Sequence, residues 1–297
     1  MTGRRARRSL AALGVLAGTI GIALATAPQL RGAEVGDSRL PAGHPDVPPA
    51  LALAAQSVAF VDTLAAASGE MADGGTAILV SECLALTANH VFEALAGGDE
   101  AATLRLRFPA LKQGGNGGEG RGDLKAFAAR LETRPKGLWR DPVADDWALL
   151  RLAEPPGLPP LVLAPASCCG WQSLPAPAAV AGFPADKFDA ATPSMWIDPD
   201  CAITRRLPIP VLATDCEATS GNSGGPLLVQ VDGGWKLAAV LTRAPGPRRR
   251  RLTGGQTAYA LIIEGRIARA IARAMKEPCT PVAEPAAEPA APASAPD

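Results

Sequence analysis

Short apolar runs closed by turn residues recur through the middle of the chain. Ser57 to Asp62 (SVAFVD), Thr76 to Ser81 (TAILVS) and Cys83 to Thr87 (CLALT) have the length and the boundaries of strands. Thr103 to Phe108 alternates, with Leu104, Leu106 and Phe108 on one face and Arg105 and Arg107 on the other, which predicts a strand with one wet side. Further strands are predicted at Ala148 to Leu152, Leu161 to Leu163 and Ala178 to Gly182. Pro226 to Val231 should pair with Trp235 to Leu241 through the turn Asp232-Gly233-Gly234. One helix stands out, from Glu264 to Lys276, where Ile267, Ile271 and Met275 recur every four residues with arginines between them. Many short strands without strand-helix alternation predict an all-β sandwich or barrel.

The ends of the chain have a different character. Residues 1–27 carry Arg4, Arg5, Arg7 and Arg8 ahead of the apolar stretch Leu10 to Ala27, the pattern of a signal peptide. Ala23-Leu24-Ala25 and Ala25-Thr26-Ala27 are cleavage options, the second disfavoured by Pro28. Export to a secreted or periplasmic location follows, with no stable membrane association once the leader is cut. An uncleaved anchor is the alternative, weakened by the Gly and Ala content of a stretch near the lower length limit for spanning. Residues 28–55, with Pro41, Pro45, Pro48 and Pro49, are predicted to be a linker or short pro-segment without a core. Residues 277–297 form an Ala/Pro/Glu tail that is expected to be disordered. Between the strands, Lys112 to Asp123 is a glycine-rich loop lacking the Gly-Lys-Ser/Thr ending of a phosphate cradle. Its Arg121-Gly122-Asp123 is read as a chance tripeptide.

At 297 residues and 47% hydrophobic, the chain can bury a full core in one large domain or two small barrels. Its formal charge is zero, and loss of the four leader arginines from 29 basic residues against 29 acidic ones leaves about −4. That balance argues against a nucleic-acid partner, and Arg248 to Arg251 is read as a solvated loop. The cysteines Cys83, Cys168, Cys169, Cys201, Cys216 and Cys279 are even in number, which permits disulfides in an exported chain. They lack zinc-ligand spacing, so neither a metal nor a cofactor is predicted.

Candidate chemistry centres on Ser223, in Gly221-Asn222-Ser223-Gly224-Gly225-Pro226 directly before an apolar strand. Flanking glycines allow a tight backbone that exposes a hydroxyl and converges amide N–H groups on one point, as a tetrahedral oxyanion requires; a plain glycine-rich turn is the alternative. A serine nucleophile needs a base. His44 lies in the proline-rich segment, whereas His90 ends the apolar run Leu84-Ala85-Leu86-Thr87 in Thr87-Ala88-Asn89-His90. The base in turn needs a carboxylate near the core to fix its tautomer. Asp146, immediately before Trp147-Ala148-Leu149-Leu150, fits better than its neighbour Asp145, a turn acid.

Leu86-Thr87-Ala88-Asn89-His90, Asp146-Trp147-Ala148-Leu149-Leu150 and Gly221-Asn222-Ser223-Gly224-Gly225-Pro226 together resemble the three active-site motifs of trypsin/chymotrypsin-type serine proteases, bacterial members included, in that family's order. The resemblance covers about residues 56–276. It implies two six-stranded antiparallel β-barrels, about 56–155 and 160–262, with a C-terminal α-helix at about 264–276. It also implies an oxyanion hole at the N–H groups of Gly221 and Ser223. Thr242, nineteen residues after Ser223, stands where relatives carry a serine that supports the buried aspartate beside the bound substrate backbone. Cys201 and Cys216 correspond to a disulfide beside the active-site loop of bacterial relatives. Glu217, six residues before Ser223, stands where trypsin-like members hold the acid that binds Lys or Arg side chains; a surface acid is the equal alternative. The chain departs from the animal digestive enzymes in lacking an Ile-Val-Gly-Gly start and in having Asn222 where they have aspartate. Activation by a salt bridge from a new N-terminus to that aspartate is therefore not expected.

The resemblance implies a monomeric serine endopeptidase acting on peptides or proteins through a Ser-His-Asp triad and an acyl-enzyme. A pseudo-protease that binds peptides without cutting them, and an esterase using the same chemistry, are the competing functions.

Overall fold

The computed structural model describes residues 37–63, 74–112, 124–135, 144–165, 173–187, 193–243 and 257–279. The predicted leader, the glycine-rich loop 113–123, Arg248 to Arg251, Cys168 and Cys169, and residues 280–297 lie outside them. In chain order the elements are β1 (Leu40–Pro41), α1 (Pro49–Ala55), β2 (Val58–Thr63), β3 (Gly75–Ser81), β4 (Leu84–Thr87), α2 (Asn89–Ala96), β5 (Thr103–Lys112), β6 (Leu124–Thr133), β7 (Ala148–Leu152), β8 (Ala176–Gly182), β9 (Trp196–Arg206), β10 (Val211–Thr214), β11 (Pro226–Val231), β12 (Gly234–Arg243), β13 (Ala258–Ile262) and α3 (Gly265–Ala274).

The first barrel closes in the order β2-β3-β4-β7-β6-β5. The second runs β9-β10-β13-β12-β11-β8 and closes through the β8–β9 pairing, with β1 added on the outer side of β9. All the strand pairings are antiparallel. This is the chymotrypsin-like architecture of two six-stranded barrels with a C-terminal helix.

Three apolar clusters explain why so many strands read as unbroken apolar runs. Ala77, Leu79, Ala85, Leu104, Leu106, Phe127, Leu150 and their neighbours fill the first barrel. Ala178, Val180, Ile203, Leu212, Leu227 and Leu241 fill the second. The alternate residues Ile78, Val80, Leu84, Leu86 and Leu149 pack against Ala179, Ala181, Phe183, Leu228 and Val240 in a third cluster that joins the barrels. Strands β3, β4 and β7 are thus buried on both faces, and the polar half of the alternation is missing. Phe60 and Phe183 meet edge to face across this junction, with ring centroids 5.4 Å apart.

Several expectations are corrected. Residues 37–55 are not a linker without a core: Val47, Leu51 and Ala55 belong to the junction cluster, β1 pairs with β9, and Arg39 is buried. The prolines of this segment terminate and start elements instead of spacing domains, Pro49 opening α1. Leu161 to Leu163 is not a strand but contributes one isolated bridge, Leu163 to Leu237. The tail begins later than 277, because Cys279 is bonded to Cys83 at a Cα separation of 5.9 Å, tying the end of α3 to the first barrel. Helices α1 and α2 join the single helix that periodicity disclosed.

Candidate active site

The loop end of β4 turns directly into α2, and His90 is the second residue of that helix. The N-cap position is Ala88, whose side chain cannot accept a hydrogen bond, so a first-turn N–H needs a partner from elsewhere. Asp146, two residues ahead of β7, supplies it: Oδ1 accepts the His90 backbone N–H at 2.9 Å and Oδ2 lies 2.8 Å from His90 Nδ1. The pairing of β4 with β7, Thr87 against Ala148, sets this juxtaposition. Asp146 is 2% exposed while the His90 side chain is 45% exposed. One end of the imidazole is therefore anchored in the core and its far edge faces solvent. The positive end of α2 adds to the stabilisation of the buried carboxylate. The neighbouring Asp145 is held elsewhere, by an ion pair with Arg266 of α3.

Ser223 stands on a turn whose backbone only glycine accepts at two points. Gly221 has φ +90°, and a Cβ there would lie 2.2 Å from the Phe183 carbonyl; Gly224 has φ +86°, and a Cβ there would lie 2.0 Å from the Thr76 carbonyl and 3.0 Å from the Ala88 nitrogen. These near contacts bring the turn onto the segment that carries His90. Thr76 of β3 stitches the two barrels together at this point. Its N–H donates to the Ser223 carbonyl at 2.9 Å and its hydroxyl donates to the Gly221 carbonyl at 2.7 Å. Sequence reasoning missed Thr76, because its partners are about 145 residues away and nothing local marks it.

Within the turn, the Asn222 N–H donates to Thr219 and the Asn222 side chain accepts from the Thr219 N–H at 3.2 Å. Gly224 and Gly225 donate to Leu241 and Asn222 carbonyls. Among the described residues, neither the Gly221 nor the Ser223 N–H donates to a protein carbonyl.

The remaining sequence-derived residues have mixed positions. Cys201 and Cys216 are bonded, joining β9 to the stretch that leads into the turn. Thr242 is buried in β12, and its hydroxyl donates to the Tyr259 carbonyl at 3.5 Å and not to Asp146. Glu217 accepts from the Ser38 N–H at 3.2 Å and lies 3.8 Å from Arg39 Nε, so its carboxylate faces the N-terminal segment. Arg39 lies in the proline-rich stretch, where nothing in the local sequence marks it. It is in fact paired with Asp37 and Asp186, whose hydrogen bonds outweigh its burial and raise its pKa above the ordinary guanidinium range. The partial desolvation of Asp186 is outweighed by its hydrogen bonds with Arg39 and Thr219, which hold it below the usual carboxylate range. Beside them the buried Asp198 is pushed upward by desolvation, although it accepts from the Glu217 N–H at 2.7 Å.

Among the described residues no group of three or more His, Cys, Asp or Glu side chains is placed to hold a metal ion. The chain is similar in structure to a Glu endopeptidase solved in complex with MPD, with a TM-score of 0.57 at 16% identity, covering 83% of this chain and 100% of that one. It also matches the Rv3671c protease of M. tuberculosis in its inactive form, at TM-score 0.46 and 21% identity, over 76% of this chain and 92% of that one. No curated protein sequence matches it. The model of the trypsin-like peptidase domain matches residues 75–239, more than half of the chain and the span that holds His90, Asp146 and Ser223, and the protein therefore belongs to the trypsin-like peptidase family.

Proposed function

We propose that the protein is a serine endopeptidase in which Ser223, His90 and Asp146 perform acyl transfer. The observation that carries this is the double contact of Asp146 with His90, which leaves Nε2 as the ring nitrogen able to take a proton from Ser223. Ser223 Oγ attacks the scissile carbonyl while His90 accepts its proton. The oxyanion is received by the Gly221 and Ser223 amides. His90 then returns the proton to the leaving amine, and water repeats the sequence on the acyl-enzyme. The hydroxyl makes no hydrogen bond to His90 among the described residues, a gap that substrate binding is expected to close, as catalytic contacts commonly tighten in the Michaelis complex.

The substrates are peptides or proteins, and the enzyme acts as an exported monomer, secreted or periplasmic. Two disulfides in the described chain accord with an oxidising compartment. Among the described residues no helix is long and apolar enough to cross a membrane. A preference for Lys or Arg before the cut would require Glu217 to offer an uncompensated charge to the substrate. Its contacts with Ser38 and Arg39 instead favour a weak preference at best.

Fluorophosphonate labelling is the direct test. Wild type should be labelled at Ser223, with the label lost in Ser223→Ala and strongly slowed in His90→Ala. A folded wild type that neither labels nor cuts a broad peptide library would refute peptidase action and leave the peptide-binding alternative. Rates on matched ester and amide substrates separate an esterase, and the same library reads the residue preference before the cut.

A further inference from the structure

Arg39 lies outside the residues matched by the family model, yet it is the most heavily engaged cation near the nucleophile turn. Its side chain is 2% exposed. Nε and Nη2 each reach an Asp37 oxygen at 2.8 Å, and Nη1 and Nη2 reach the two Asp186 oxygens at 2.9 and 2.6 Å. Nη1 also lies 3.4 Å from the Thr219 hydroxyl, which itself donates to Asp186 at 2.6 Å. One guanidinium thus joins three pieces of chain: the N-terminal segment, the 183–187 loop and the start of the nucleophile turn. Lys187 adds a second link, 2.6 Å from Asp37, and the Ser38 hydroxyl donates to Asp198.

The joined pieces are those that set the Gly221 backbone. Phe183 and Ala185 are the groups that a Cβ on Gly221 would strike, and the Ala185 N–H donates to the Ser220 carbonyl at 2.7 Å. Thr219 exchanges two hydrogen bonds with Asn222, the residue between the two oxyanion amides. Without Arg39, the carboxylates of Asp37 and Asp186 would lose the cation they share, leaving Lys187 as the counter-charge on Asp37, and their mutual repulsion would part the segment from the loop.

We propose that Arg39 is a positioning residue: it clasps residues 37–41 to the 183–187 loop and the 219–222 turn, and thereby fixes the peptide planes that present the Gly221 and Ser223 N–H groups. An internal side chain does this work, so the ordering needs no newly cut N-terminus, and a mature chain must begin at or before Asp37 to keep the clasp. The inference rests on the acyl-transfer function proposed above for its kinetic consequence, but not for its structural one.

Amide hydrogen exchange on the full chain, comparing wild type with Arg39→Met, Arg39→Lys and Asp186→Asn, tests the structural claim. Arg39→Met and Asp186→Asn should speed exchange in residues 183–187 and 219–223 while β3, β4, β11 and β12 stay protected, with Arg39→Lys intermediate. Unchanged exchange in both segments overturns the proposal. Asp186→Asn keeps the test decisive if Arg39→Met does not fold, because Asp186 is exposed and its loss leaves Arg39 paired with Asp37. For an active wild type, kcat per titrated site should fall about 10- to 100-fold in Arg39→Met with a smaller change in KM, since the amides act mainly on the transition state, and Arg39→Lys should recover part of it. An unaltered kcat overturns the proposal. An inactive wild type refutes the peptidase function alone, and the exchange comparison still decides the clasp.

Discussion

Asp146 binds His90 twice, through the backbone N–H at 2.9 Å and through the ring Nδ1 at 2.8 Å. The first contact fixes where the helix α2 starts and the second fixes which way the imidazole turns. A single buried carboxylate therefore acts as helix cap and as tautomer selector.

Replacing Asp146 separates these roles. Asp146→Asn retains an oxygen that can accept one N–H but offers no carboxylate to the imidazolium, so kcat/KM on a peptide substrate should fall by about 10³- to 10⁴-fold with the fold intact. Asp146→Ala should add a loss of stability of about 1 kcal/mol or more from the uncapped α2. Peptidase kinetics beside circular-dichroism melts measure both, and Asp146→Asn activity near that of wild type would contradict the assignment.

Gly224→Ala probes the seat of the nucleophile turn. The new methyl would lie 2.0 Å from the Thr76 carbonyl and 2.3 Å from the Thr87 hydroxyl, at a φ of +86° that L-residues seldom adopt. Backbone strain alone costs about 1–3 kcal/mol, and the barrel junction must open further to relieve the contact. Urea denaturation should record the loss, and fluorophosphonate labelling of Ser223 should slow in the folded fraction.

The Cys83–Cys279 bond closes a loop of 196 residues and holds the C-terminal end of α3 against the first barrel. Chain entropy assigns such a closure about 5 kcal/mol. A Cys83→Ser, Cys279→Ser double variant should lose about 2–5 kcal/mol by denaturant titration while keeping its labelling at Ser223, because neither cysteine touches the site.

Acid should leave the Arg39 clasp closed until the pH falls below about 4. Hydrogen bonds to Arg39 outweigh burial and hold both Asp37 and Asp186 below the usual carboxylate range. A depressed folded-state pKa contributes stability that is complete above the unfolded value of about 3.9 and is lost as the pH drops toward the folded value. Asp198, whose pKa burial raises with the nearby Asp215 adding to it, works in the opposite direction, while Glu217 and Lys187 also face the cluster around Arg39. Comparing melts of wild type and an Asp37→Asn, Asp186→Asn variant cancels the Asp198 contribution. Their stability difference should be constant from pH 7 to about 5 and shrink below about 4; a difference that shrinks on going from pH 4 to 7 would reverse the sign.

Much of the first barrel was legible because β2, β3, β4 and β7 are apolar runs bounded by turn residues, and β5 alternates. The strands that escaped have physical reasons. β6 (LKAFAARLET) is built from residues that favour helices and becomes a strand because β5 and β7 pair with it on either side. β9 contains Pro199, which a register shift accommodates between the pairs Ala178–Cys201 and Val180–Asp198. α2 lacks a capping side chain of its own, since its cap comes from Asp146.

The sequence by itself determined the residue types at the candidate site, their order along the chain and the glycines that only a tight turn requires, because these are local properties. Tertiary structure alone decided what the second acid, Asp145, pairs with, which cysteine closes on Cys83, and what Glu217 faces. It also made Arg39, an unremarked residue among prolines, the centre of an ion cluster. Charge pairing and hydrogen bonding act through space, and the partners of Arg39 at Asp186 and Thr219 lie 147 and 180 residues along the chain. Only the closing of the second barrel brings them within reach of the segment that precedes the first.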